Sequence, residues 1–180
     1  FAVRHAIDDL PGKSVGVAVS PVLRHEVVVA LDTAELLQVT DCGVLLPAPS
    51  PSPSSSSSLS PHPEALPVGR LIGCEYGHHP REVCLAGVTG VGLRDLRAPP
   101  PRCFRLLWDL AADRPRHRVL SAVTLRSMPC LYGVASTDRM QVLDSRRPGK
   151  AVLEWELGGG GATAEPPAFL AATAPPAAAE

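Results

Sequence analysis

Apolar and polar positions follow one phrase three times along this chain: an apolar strand, a tight polar turn, a second apolar strand, then an acidic and usually basic end. The copies occupy 26–41, 82–97 and 131–146, so successive copies start 56 and 49 residues apart. Each is preceded by another apolar run, at 15–19, 71–74 and 119–125, and the second and third are followed by a fourth, at 103–110 and 151–157. No stretch repeats apolar residues at three and four for two turns without an intervening Pro or Gly, so the pattern predicts strands and not helices.

Units of about 40 to 50 residues are the pitch of propeller blades. A lone blade cannot bury both faces of its sheet, and blades therefore stack radially into rings of typically 4 to 8. Three units do not close a ring. The expected fold is all-β, a partial WD40-like β-propeller of about three blades over 1–157. Within it, Val27, Val29, Val83, Leu85 and Val134 are expected to be buried, with hairpin turns at Asp32-Thr33, Thr89-Gly90 and Thr137-Asp138. Trp108 and Trp155 fall in the last strand of their units and are expected to anchor them.

Composition trims this picture. An insert at 47–63 holds an unbroken run from Ser54 to Ser58, and no charged residue occurs between Cys42 and Pro63. Such a segment does not repay its ordering entropy and is expected to be a solvated loop. The Ala/Pro/Gly-rich stretch 158–180 is expected to be a disordered tail. Phe1 in place of an initiator Met, opening directly into Val3 and Ile7, reads as a fragment whose upstream blades are missing. Aromatic residues are only 4% of the chain, which is little rigid bulk for a core. A loosely supported fold is therefore expected of the chain alone.

The five cysteines, Cys42, Cys74, Cys84, Cys103 and Cys130, are odd in number and have no close paired spacing. Together with an N-terminus that lacks the pattern of a secretory leader, they read as intracellular. No apolar run approaches the roughly 20 residues of a membrane helix, so no membrane partner is expected. Net charge is −1, but its distribution is uneven: 94–150 carries 12 basic and 5 acidic residues, and the remainder 5 basic and 13 acidic. Fifteen of the seventeen basic residues are Arg, whose planar guanidinium suits phosphate and carboxylate. Arg114, Arg116 and Arg118, in one polar connector, are the candidate contacts to an anionic partner. The alternative is a solvated face.

Motifs of chemistry are thin. Cys74, His78, His79 and Cys84 are zinc-type ligands at a spacing that fits no common paired pattern, and Cys84 sits in an apolar strand as a small hydrophobe does. Gly12-Lys13-Ser14 ends like a phosphate loop, but Ile7 stands where its first Gly is needed. His25-Glu26 begins like a zinc-protease helix, but Val29 replaces the second His. No serine nucleophile elbow is found. Neither an enzyme activity nor a cofactor or metal site is expected. Ser20, Ser50, Ser52 and Ser60 precede Pro and are candidate phosphorylation sites, with an unregulated spacer as the alternative.

Particular residues carry a family resemblance. Tyr76-Gly-His-His-Pro-Arg81, followed by an apolar strand and by Gly90-Val-Gly-Leu-Arg-Asp-Leu-Arg97, resembles the propeller found among the TATA-box-binding protein-associated factors of RNA polymerase I. Asp144-Ser-Arg-Arg-Pro148 with Val152-Leu-Glu-Trp155 is similar to the next blade of that family. Residues 1–19 with 26–32 look like the preceding one. The third strands end in Asp without the Trp that precedes it in ordinary WD repeats. The resemblance implies a non-enzymatic subunit of the factor that places RNA polymerase I at ribosomal RNA gene promoters. Its implied partners are the TATA-box-binding protein, companion associated factors, the RNA polymerase I machinery and promoter DNA, and its implied location is the nucleus and nucleolus. The alternative is a propeller adaptor in another intracellular complex.

Overall fold

The computed structural model describes residues 12–40, 43–45, 66–98 and 102–157. The insert 47–63, with Ser50, Ser52 and Ser60, and the tail 158–180 lie outside them. Strands β1 (Ser14–Val19), β2 (Val27–Leu31), β3 (Leu36–Thr40) and β4 (Gly43–Leu45) form the first antiparallel sheet. The second holds β5 (Leu71–Tyr76), β6 (Glu82–Gly87), β7 (Gly90–Asp95) and β8 (Phe104–Asp109). The third holds β9 (Val119–Thr124), β10 (Leu131–Ser136), β11 (Arg139–Asp144) and β12 (Ala151–Glu156). In each sheet, strand order in space equals order in the chain. Over the described residues the fold is thus an all-β, partial propeller of three blades, as the repeat predicts.

Blades stack face to face, and the middle one explains why its central strand reads as a continuous apolar run. Val83 and Leu85 turn toward the first blade and join Ala18, Val28, Ala30, Leu71 and Tyr76. Cys84 and Ala86 turn the other way and join Tyr132, Val134 and Leu143. A strand covered on both faces has no position left to be polar. Burial of Val83, Leu85 and Val134 is as expected, at 1% exposure or less.

Val27 and Val29 correct the expectation. The pairs Val17–Val29 and Val19–Val27 lie on the face of the first blade turned away from the second, where Val27 and Val29 are half-buried. It is the alternate residues, Val28 and Ala30, that are fully enclosed. The period of 2 along a strand makes this a choice of face, and three consecutive valines give no clue to which face is covered.

Trp155 is a second correction. Trp108 is buried at 6% exposure and anchors β8, but Trp155 is 50% exposed on β12, a strand exposed at every position. A third difference is a short strand, β4, which completes the first sheet where the sequence pattern stops at three strands. A fourth is one helical turn, α1 (Leu110–Asp113), whose N-cap Asp109 accepts a hydrogen bond from the Ala112 amide at 3.0 Å. The pair Trp108-Asp109 therefore closes a fourth strand and starts a helix; it does not close a third strand as in WD repeats.

The repeat extends to backbone conformation. His25 and Cys130 sit one residue before the matching phrases of the first and third blades, and both have left-handed φ, 63° and 66°.

Candidate interaction surfaces

Two polar seams hold the blades in register. At the first, the buried Glu26 carboxylate receives hydrogen bonds from Tyr76 Oη at 2.7 Å, Gln38 Nε2 at 2.9 Å and Arg81 Nη1 at 2.6 Å. Tyr76 and Arg81 belong to the second blade and Glu26 and Gln38 to the first, so one carboxylate ties the two sheets. A buried charge is tolerated when it is paired and its lone pairs are filled. Burial, then the neighbouring carboxylate, pushes the Tyr76 hydroxyl pKa up, and the phenol stays a donor throughout the ordinary pH range.

At the second seam Glu82 accepts from Tyr132 Oη at 2.8 Å and lies 3.7 Å from Arg105. Burial, again followed by the carboxylate, raises the Tyr132 hydroxyl. Beside it Thr124 donates through Oγ1 to the Tyr76 carbonyl at 2.9 Å and through its amide to Glu75 at 2.6 Å. His78 lies 3.0 Å from the Leu131 carbonyl and edge-on to the Tyr132 ring. Thus Tyr76, His78 and Arg81, three residues of the phrase that carries the family resemblance, bridge neighbouring blades.

The Asp-x-Arg phrases are local turn locks. Asp95 accepts from the Arg97 amide at 2.9 Å and from its guanidinium at 3.0 and 3.1 Å, and Asp144 holds Arg146 in the same way. The Arg146 side chain beside Asp144 holds that carboxyl pKa down at about 2, and Arg97 lowers Asp95. Arg97 and Arg146 are therefore spoken for, although both are exposed.

The zinc-type residues do not converge. Cys84 is enclosed, and burial raises its thiol pKa; burial pushes Cys74 up to about 11, and its sulfur sits 3.9 Å from the Val28 carbonyl. His79 Nδ1 accepts from the Arg81 amide at 3.1 Å, the turn that leads into β6. Among the described residues no group of three or more His, Cys, Asp or Glu is arranged to hold a metal.

Arg114, Arg116 and Arg118 lie in the link between α1 and β9. Arg114 pairs with Asp138 at 3.1 Å, and His117 reaches the same carboxylate at 3.6 Å. The Arg118 amide caps Thr137 Oγ1 at 3.3 Å, leaving its exposed side chain and that of Arg116 on the surface. Of the three, Arg114 is drawn to the acidic Asp138, while Arg116 and Arg118 are exposed. Missed by sequence reasoning is the residue at the centre of the next cluster, Arg139, only 5% exposed and set among Asp113, Asp138 and Glu154 at 2.7 to 3.5 Å. Its position after a turn reads as exposed, and only the fold reveals the enclosure.

The end blades each present an apolar face. Val17 and Val19 are 59% and 66% exposed on the first, and Leu153 and Trp155 are 53% and 50% exposed on the third. Among the described residues no helix is long and apolar enough to cross a membrane.

No protein-family model matches the chain, and no curated protein is significantly similar to it. Among solved structures it is similar to the β-propeller domain of Myceliophteria thermophila Cps50 (Swd1), at 12% identity and a TM-score of 0.56 over 81% of this chain and 42% of that one. It is also similar to apo AztD of Citrobacter koseri, at 18% identity and 0.53 over 82% and 35%. Chaetomium thermophilum Raptor matches at 14% identity and 0.57, over 88% of this chain and 13% of that one. Such likeness shows the fold: a β-propeller. The chain spans less than half the length of each.

Proposed function

We propose that these three blades are a sector of a larger propeller that serves as a non-enzymatic subunit of the RNA polymerase I core promoter selectivity factor. Support for the sector comes from the first and third blades, whose outward faces carry Val17, Val19, Leu153 and Trp155 in solvent. A further blade against each face removes that apolar surface from water. Support for the factor comes from residues 76–97, where the family phrase coincides with the residues that bridge blades: Tyr76, His78 and Arg81. In this reading the partners are the TATA-box-binding protein, its companion factors and the polymerase machinery, with promoter DNA met through the complex, in the nucleolus.

The test is co-purification. A tagged full-length protein expressed in cells is expected to bring down the TATA-box-binding protein and to overlap a nucleolar marker. Recovery in a different complex with no nucleolar enrichment overturns the reading and favours a general propeller adaptor. Charge reversal of Arg114, Arg116 and Arg118 together tests the DNA-facing arm: lost promoter occupancy with the complex intact supports it, and unchanged occupancy makes them solvated surface.

A further inference from the structure

A cleft of about 500 Å³ opens where the second and third blades meet. Its walls include Trp108 and Asp109 at the end of β8, Asp113 on α1, Arg139 and Gln141 on β11, and Glu154 on β12. The Gly149 amide donates to the Leu107 carbonyl at 2.7 Å and ties the β11–β12 turn to β8 beside it. Three carboxylates and one guanidinium therefore face a space with fixed walls.

Two atoms in those walls are unfinished. Arg139 and Gln141 are each 5% exposed, and both bind Glu154, through Nη1 and Nε2, at 2.7 Å. Yet Arg139 Nη2 and Gln141 Oε1 have no hydrogen-bond partner among the described residues. Native proteins rarely leave buried polar atoms unpaired, and those left are the places to look for a ligand. Both atoms are shielded from solvent, and both belong to side chains that line the cleft. They form a donor and an acceptor two residues apart on one strand face, which matches the alternating carbonyl and amide edge of an extended peptide.

The excess of carboxylate chooses among peptides. Asp109, Asp113 and Glu154 outweigh Arg139, so the cleft favours a cation and repels phosphate. Trp108 adds an aromatic wall of the kind that supports an ammonium or guanidinium. We propose that this cleft binds a basic protein segment, a main-chain carbonyl accepting from Arg139 Nη2, a main-chain N–H donating to Gln141 Oε1, and a Lys or Arg side chain among Asp109, Asp113 and Glu154. The site is independent of which complex contains the protein.

The experiment uses the full 180-residue chain, isotope-labelled, and blocked pentapeptides of Gly and Ala around a central Arg, Lys or Glu. Saturable shifts are expected at the Trp108 indole and the Gln141 side-chain amide with the Arg and Lys peptides, while the Trp155 indole stays put as an internal control. Gln141→Leu and Asp113→Asn are each expected to weaken binding about fivefold, the effect of one lost hydrogen bond or charge contact. Asp113 is exposed, so its variant keeps the fold even where Gln141→Leu does not. Equal binding of the Glu peptide, shifts centred on Trp155, no saturation, or affinities unchanged in both variants overturn the proposal. So does displacement of the peptide by duplex DNA with the same variant dependence.

Discussion

Tyr76, at the end of the second blade's first strand, donates its hydroxyl at 2.7 Å to the Glu26 carboxylate that opens the first blade's second strand. The two residues are 50 apart in the chain and no sheet hydrogen bond connects their blades there. Orientation between blades thus rests on apolar contact plus a few buried polar ties.

Replacing Tyr76 by Phe keeps the ring and removes the tie. A hydrogen bond to a charged group is worth about 1.5 to 3 kcal/mol, so Tyr76→Phe is expected to lower unfolding free energy by that amount in urea titration. Combining it with Glu26→Gln is expected to cost less than the sum of the two single changes, because both act on one interaction. Strict additivity would show that the hydroxyl and carboxylate are not coupled.

The two tryptophans are expected to behave oppositely. Trp108→Ala removes a ring buried at 6% exposure and is expected to cost about 3 to 5 kcal/mol. Trp155→Ala, on an exposed strand, is expected to change the stability of this chain by no more than about 0.5 kcal/mol. Matched melting curves decide it: a large Trp155 effect would mean that its face is covered in this chain.

Backbone changes at two positions are expected to have opposite signs. A Cβ on Gly87 runs into the Val68 carbonyl, and Gly87→Ala is expected to destabilise by about 1 to 3 kcal/mol. Cys130 holds φ at 66°, a conformation that costs a side chain about 1 to 2 kcal/mol. Cys130→Gly is therefore expected to offset its extra chain entropy or better, and to raise the urea midpoint slightly. A drop in that midpoint would show that the Cys130 side chain contributes packing that outweighs the strain.

Acid offers a test of the turn locks. Arg146 holds the Asp144 carboxyl at about 2, below its usual value near 4. Folding therefore favours the ionised form. The stabilisation is complete above about pH 4 and is lost as pH falls through the folded value. Asp144→Asn is expected to be less stable than the parent at pH 7, with the two urea midpoints converging toward pH 2. Parallel curves would remove the linkage.

What could be read from the sequence was the period. Three phrases of one pattern place six of the twelve described strands by themselves, with the middle turn at Val88-Thr89, one residue before the expected Thr89-Gly90, and flanking apolar runs supply five more. β4 escaped because Gly43-Val-Leu45 is too short to alternate. Face assignment in the first blade failed for a different reason: Val27 to Leu31 is apolar at every position, and only the presence of a neighbouring blade decides which side closes. The polar seams were invisible since Tyr76 meets Glu26 across 50 residues. Arg139 is the clearest case. It follows Asp138 at a turn, the setting of a surface residue, yet the approach of α1 and β12 encloses it.

Each described sheet is drawn from one uninterrupted stretch of chain, and no strand is lent across a blade boundary. The cuts between sheets fall after Leu45 and between Asp109 and Val119, so a nick there severs a covalent link without opening a β-ladder. Cooperativity between neighbours is then carried by their facing surfaces, by seams such as Glu26–Tyr76 and by single backbone ties such as Gly149–Leu107. Whole blades become the natural units of gain, loss and independent opening, and the outermost of them are the first to detach.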